Sequence, residues 1–215
     1  NISHGRCETW GEVEEVLYQT WSSKNGAQYV VAQACIDAGF RTDDVYQFCT
    51  TNPIALPTKG ASNPMRAPYS RTKVDKSFFK NAGLELLMQD HNYWKDFISG
   101  RVNRENGRGS WMVYKGTDET LPFLRDYADQ ICAEQKVHRK NSKGATVTVW
   151  TPIGSNTPNH YLDCEVNAAL AAEVAGVRFL RKNDVEAEPI KEEKKPNNWL
   201  GNSGGFGAGK GWLSR

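Results

Sequence analysis

The sequence predicts an α/β domain over residues 1–181, followed by an appendage over 182–215. Three observations carry that prediction. Short apolar runs rich in β-branched residues alternate with segments of helical period. Several of these runs close on Gly or Asp turns. After about Arg181 the apolar content gives way to the mixed-charge stretch "KNDVEAEPIKEEKKP" and then to a tail of glycines punctuated by Trp199, Phe206 and Trp212.

Thr9 to Ser22 is expected to be helical: Thr9 and Glu12 have capping-box spacing, and Val13, Val16 and Leu17 share a face. "QYVVAQACI" (28–36) reads as a strand running into the turn Asp37-Ala38-Gly39. Thr42 to Cys49 opens with a cap and two aspartates, so a short helix follows. "PIALPTKG" is a strand closing on Gly60, and 61–76, rich in Pro, Ser, Arg and Lys, reads as a loop.

Leu84 to Met88 is a strand, and Asp90 is placed to cap a helix whose apolar face is Tyr93, Trp94, Phe97 and Ile98. Trp111 to Tyr114 is assigned to a further strand and Thr120 to Val137 to a helix. "ATVTVW" (145–150) is a strand, and "NHYLDCEVNAALAAEVAG" (159–176) is the last helix.

Composition narrows the function classes. The chain has 215 residues, 39% hydrophobic and 24% charged, and nowhere approaches eighteen consecutive apolar residues, so no membrane helix is expected. Its start is polar, without a basic and apolar leader. Five cysteines without a CxxC pair argue against a disulfide framework or a zinc site and for buried reduced thiols in a cytoplasm. A net charge of +2 leaves any nucleic-acid contact to local basic patches.

Several residues have the chemistry of a site. Asp37 ends an apolar strand before a glycine turn, the edge at which α/β folds build sites, although an Asx-turn explains it equally. Asp163 lies in the first turn of the last helix, where the dipole favours an ionised carboxylate. His160, three residues earlier on the same side, has the chemistry of a ligand or a proton acceptor. Asp90 is a cap first and a metal ligand second. Glu165 is a helix-start charge and Cys164 a buried thiol. Basic residues gather at Arg101, Arg104 and Arg108, and at Lys136, Arg139 and Lys140 in a loop, either as solvated loops or as contacts to a DNA backbone. "GGFGAGKG" (204–211) resembles a phosphate-binding loop but ends in Gly211 and follows no strand, so a docking peptide suits it better.

"ACIDAGFRTDDVYQFC", "PIALPTKGAS" and "NHYLDCEVNAALAA", in that order, resemble the nuclease region of the large terminase subunits of tailed bacteriophages, closest to the lambda-like branch. The resemblance spans roughly residues 5 to 180. It implies an RNase H-like mixed sheet flanked by helices and metal-dependent cleavage of double-stranded DNA. Asp37 and Asp163 would then be carboxylates of a two-metal Mg²⁺ or Mn²⁺ site, with His160 beside them and Lys59 toward the scissile phosphate. It also implies an ATPase domain upstream, the terminase small subunit and the procapsid portal as partners, the portal reached through the tail, and a place in the host cell cytoplasm.

The family's first catalytic aspartate precedes the first helix, and this sequence has no Asp before Asp37. The expectation is therefore a chain truncated inside the domain, lacking its first strand, with an open sheet edge and poor cleavage on its own. A non-cutting fragment that binds DNA and docks on the portal is the alternative. Another RNase H-like enzyme, a resolvase or integrase, is a third.

Overall fold

The computed structural model describes residues 3–23, 25–76, 79, 82–114, 116–140, 142 and 144–180. The expectations for the linker and tail over 182–215 lie outside these residues.

The chain folds as a mixed α/β structure. Strands β3 (Ala34–Asp37), β4 (Ala55–Gly60), β5 (Tyr69–Lys73) and β6 (Glu85–Gln89) form one sheet in the order β3-β4-β6-β5. β3, β4 and β6 run parallel, and β5 returns antiparallel along β6. Two small antiparallel pairs stand apart: β1 (Trp21–Ser22) with β2 (Gln28–Tyr29), and β7 (Glu134–Lys140) with β8 (Thr146–Pro152). The helices are α1 (Trp10–Tyr18), α2 (Thr42–Thr51), α3 (His91–Val102), α4 (Leu121–Ile131) and α5 (His160–Val174), and one 3-10 turn follows at Val177–Phe179.

Strand alternation divides the core into two layers. On one face Ala34, Ile36, Ala55 and Leu86 pack with Leu17 of α1 and with Val45, Phe48 and Cys49 of α2. On the other, Cys35, Leu56 and Leu87 pack with Trp94 and Ile98 of α3 and with Leu162, Val166 and Leu170 of α5. Leu87 and Leu170 are wholly buried, and each contributes roughly 1.5–3 kcal/mol by leaving water. The same alternation sends Asp37, Thr58, Gly60 and Gln89 toward α5, and Lys59 toward the opposite face.

Several expectations hold. Thr9 accepts from Glu12 N and Glu12 returns the bond, completing the capping box of α1. Asp90 caps α3 by accepting from Tyr93 N. Separately from these, β3 lies at the edge of its sheet among the described residues, and a groove runs beside it along Ala168, Ala171 and Ala172 of α5 and Ala175 just after it.

Others are corrected. α1 stops at Tyr18, and the strand expected over 28–36 divides into β2, which pairs with Trp21–Ser22, and β3. The loop over 61–76 contains β5, an edge strand whose residues after Tyr69 are all exposed, so no apolar alternation announces it. The N-cap of α2 is Arg41 in the left-handed region (φ 49°), while the Thr42 hydroxyl donates back to Ala38 O at 2.8 Å. Trp111–Tyr114 is not a strand; Trp111 instead packs on the second core and donates to Tyr127 Oη at 3.1 Å. The helix expected to reach Val137 ends at Ile131, because Glu134 to Lys140 pairs residue for residue with β8. The "KVHRKNSKG" loop is therefore largely the first strand of a hairpin.

Candidate active site

The parallel strands end together. Asp37 is in register with Thr58, and Gly60 with Gln89, so the C-terminal ends of β3, β4 and β6 form one rim. α5 is fixed over this rim by Asn167. Its Oδ1 accepts from the Thr58 hydroxyl and from Gln89 Nε2, both at 2.9 Å. One turn earlier on the same helix is Asp163, so the bond that seats α5 also sets the position of that carboxylate.

Near the rim the His91 ring feels the charges of four ionisable side chains. Burial first, and then the Lys95 ammonium, push His91 below the ordinary 6.5, while Asp163, Asp37 and Glu134 pull it upward. The net shift is downward, so the imidazole is neutral at pH 7. That is the form that binds a metal or accepts a proton. Gly60 makes room for the ring: a Cβ there would meet His91 Cε1 and Nε2 at 2.9 Å. The glycine closing "PTKG" is thus a close approach between strand end and imidazole.

Lys95, one turn into α3, is buried and bonds Glu134 Oε1 at 2.7 Å; the two side chains are only 9% and 3% exposed. Its ammonium also reaches Asp163 Oδ1 at 3.4 Å, an ion-pair contact and not a hydrogen bond. Asn159, the residue before α5, donates to the same Glu134 oxygen at 2.7 Å. Glu134 at the root of the hairpin therefore ties α3 to the start of α5.

Two carboxylate oxygens here are buried without a hydrogen bond, Asp163 Oδ1 and Glu134 Oε2. Buried acceptors without donors are costly, about 1–3 kcal/mol each and more when charged, and a bound cation removes that cost. Hard carboxylate donors suit Mg²⁺ or Mn²⁺. Among the described residues no three His, Cys, Asp or Glu side chains converge as a ready-made ion site. A hard divalent ion held by Asp37 and Asp163 would therefore need water or phosphate oxygens to complete its shell, which Mg²⁺ commonly accepts.

The residues singled out in the sequence are placed unequally. Asp37 is exposed on the rim, and its Oδ1 accepts from Gly39 N at 3.1 Å, the Asx-turn foreseen for it. Asp163 faces Lys95. His160 is exposed and lines a separate recess with His4, Tyr114, Phe123 and Tyr161. Asp90 has both oxygens engaged by backbone amides, Tyr93 N at 3.2 Å and Met65 N at 3.3 Å. Lys59 is exposed on the face turned away from α5. Arg101 donates to Gly109 O at 3.2 Å and stacks on Phe97, and Lys136 pairs with Asp96 at 2.8 Å. Arg104, Arg139 and Lys140 are exposed.

Two readings of the last helix are corrected. Glu165 is buried and accepts from Tyr127 Oη at 2.7 Å, because it lies on the side of α5 that faces α4. Cys164 is exposed, as are Cys7 and Cys132, so the thiols are not uniformly buried. His91, Lys95 and Glu134 were missed. His91 and Lys95 looked like ordinary members of an amphipathic helix, and Glu134 fell in a segment assigned to a helix. The available signal was a lysine within the most apolar part of α3, between Trp94 and Ile98, where a charge needs a partner.

Among the described residues no helix is long and apolar enough to cross a membrane. Neither a curated protein nor a solved structure matches the chain. The family model of the terminase large subunit gpA, endonuclease domain, matches residues 2–185. A match of that extent takes in the rim, α3, the hairpin and α5 together, and the chain belongs to the family of terminase large subunit endonuclease domains.

Proposed function

We propose that this chain is a metal-dependent endonuclease domain that cuts concatemeric double-stranded DNA during viral genome packaging, in the cytoplasm of the infected host. The observation that carries the metal dependence is Asp163 Oδ1, buried without a hydrogen bond on the helix seated over the rim that bears Asp37. Asp37 and Asp163 are the residues that would hold Mg²⁺ or Mn²⁺. When bound, such ions lower the pKa of water and stabilise the leaving oxygen. The mixed sheet, with a late helix delivering a carboxylate to its strand ends, supports an RNase H-like reading of the fold.

The chain's own side chains do the rest. His91, half-buried and neutral at pH 7 within the field of both carboxylates, accepts a proton at the rim, the role the sequence suggested for His160. Asp90 acts as the cap of α3. The β7–β8 hairpin, rooted at Glu134, carries Arg139 and Lys140 about 20 Å along its length at roughly 3.4 Å per residue, and these contact backbone phosphates. Arg104 adds a further contact. The small subunit, the portal and an ATPase domain are the partners this role requires.

The test is nicking of supercoiled plasmid by the purified chain in Mn²⁺. Slow metal-dependent nicking, lost in Asp37→Asn and in Asp163→Asn, is expected; undiminished nicking by Asp163→Asn would overturn the site. A second reading, DNA binding without cutting, is favoured by one observation, that no three candidate ligands converge among the described residues. Retarded DNA with no nicking at any Mn²⁺ concentration would select it.

A further inference from the structure

We propose that Lys95 is a built-in counterion of Asp163, against which a divalent cation must bind, and that Glu134 anchors it there. This rests on the reading that the cation binds at Asp37 and Asp163. Glu134 lies outside the main sheet, at the first residue of β7, and its side chain is almost wholly buried. A buried carboxylate is tolerated only if paired. Its Oε1 takes both Lys95 Nζ and Asn159 Nδ2, and its Oε2 takes nothing. That one-sided use holds the ammonium at 2.7 Å from Glu134 and leaves it 3.4 Å from Asp163. The lysine side chain is only 9% exposed, which limits where the ammonium can go. The neighbouring cation, Lys136, is committed to Asp96.

The charges then follow. Asp37, Asp163 and Glu134 against Lys95 leave the cluster at two negative charges, matched to one dication. Lys95→Met makes it three and Glu134→Gln makes it one. The double variant returns it to two while removing both buried charges.

The experiment is calorimetric titration of Mn²⁺ into the full 215-residue chain at pH 7.5 without DNA, with thermal unfolding of every variant. Coulomb's law at a dielectric between protein and water predicts Lys95→Met to bind Mn²⁺ about tenfold tighter, and Glu134→Gln about tenfold weaker. The double variant and Lys95→Arg should stay within roughly threefold of the native chain, less than 1 kcal/mol. If Lys95→Met does not fold, the rescue of Glu134→Gln by the double variant carries the test.

Weaker or unchanged binding by a folded Lys95→Met overturns the proposal. So does a double variant as weak as Glu134→Gln alone, which would make Glu134 a ligand. Asp163→Asn separates the two levels. If it leaves Mn²⁺ affinity unchanged, the cation site itself fails; if it abolishes binding while Lys95→Met does not tighten it, only the counterion role fails.

Discussion

The Thr58 hydroxyl donates to Asn167 Oδ1 at 2.9 Å, joining the centre of the parallel sheet to α5 one turn beyond Asp163. Gln89 Nε2 donates to the same oxygen, so a single amide oxygen registers two strands against one helix. Asn167→Ala leaves the Gln89 amide buried without that partner, and a cost of about 1–3 kcal/mol follows. Urea unfolding should show a lower midpoint with an unchanged m-value. Metal-dependent nicking should fall further than stability alone explains, because Asp163 loses its setting.

Gly60→Ala tests the close approach of β4 to His91. The added Cβ would lie 2.9 Å from the ring, inside contact distance, so the imidazole must move. The expected result is a loss of stability of about 1–3 kcal/mol, recovered in part when His91→Ala removes the ring as well. A double-mutant cycle on unfolding midpoints measures the coupling; additive losses would show that ring and strand end are independent.

The pH dependence of stability follows from the same ring. Burial and Lys95 hold folded His91 below 6.5, so near that pH the unfolded chain takes up the proton first. Stability is therefore full above about 6.5, falls as pH drops through that value, and stops falling from this source beneath the folded value. Urea melts in EDTA between pH 7.5 and 5 should show this slope, and His91→Gln should flatten it.

DNA binding should separate exposed cations of the hairpin from those committed to a partner. Arg139→Ala with Lys140→Ala removes two exposed charges from the hairpin, and the slope of log K against log salt should shrink by about 0.9 per lost phosphate contact. Arg101→Ala and Lys136→Ala should change that slope little, since Gly109 O and Asp96 already hold those side chains. Fluorescence anisotropy across a salt series reads both.

Thiol labelling should follow burial. Cys35 and Cys49 are both pushed up to about 12 by burial, whereas Cys132 is exposed. At pH 8 an aromatic disulfide reagent should modify Cys132 rapidly, and Cys35 and Cys49 only after unfolding. Rapid labelling of Cys49 in the native chain would show that the α2 layer opens.

Local signals were enough to place what depends on neighbours in sequence. The Thr9–Glu12 capping box, the Asp90 cap, the apolar strands ending at Asp37 and Gly60, and the helix bearing Asp163 each have a short-range cause: a cap, an alternation, a dipole. The three ordered motifs sufficed for the family. Tertiary structure decided what depends on distant partners. β5 has no pattern of its own and exists because β6 offers it an edge. Glu134 to Lys140 continues a helix by composition, yet pairs with β8. His91 was legible only as a helix-start residue until Gly60 made space for it at the strand ends, and Lys95 only as one lysine among many until a carboxylate 39 positions along the chain met it in the core. Charges and cavities are properties of assembled surfaces, and no local period encodes them.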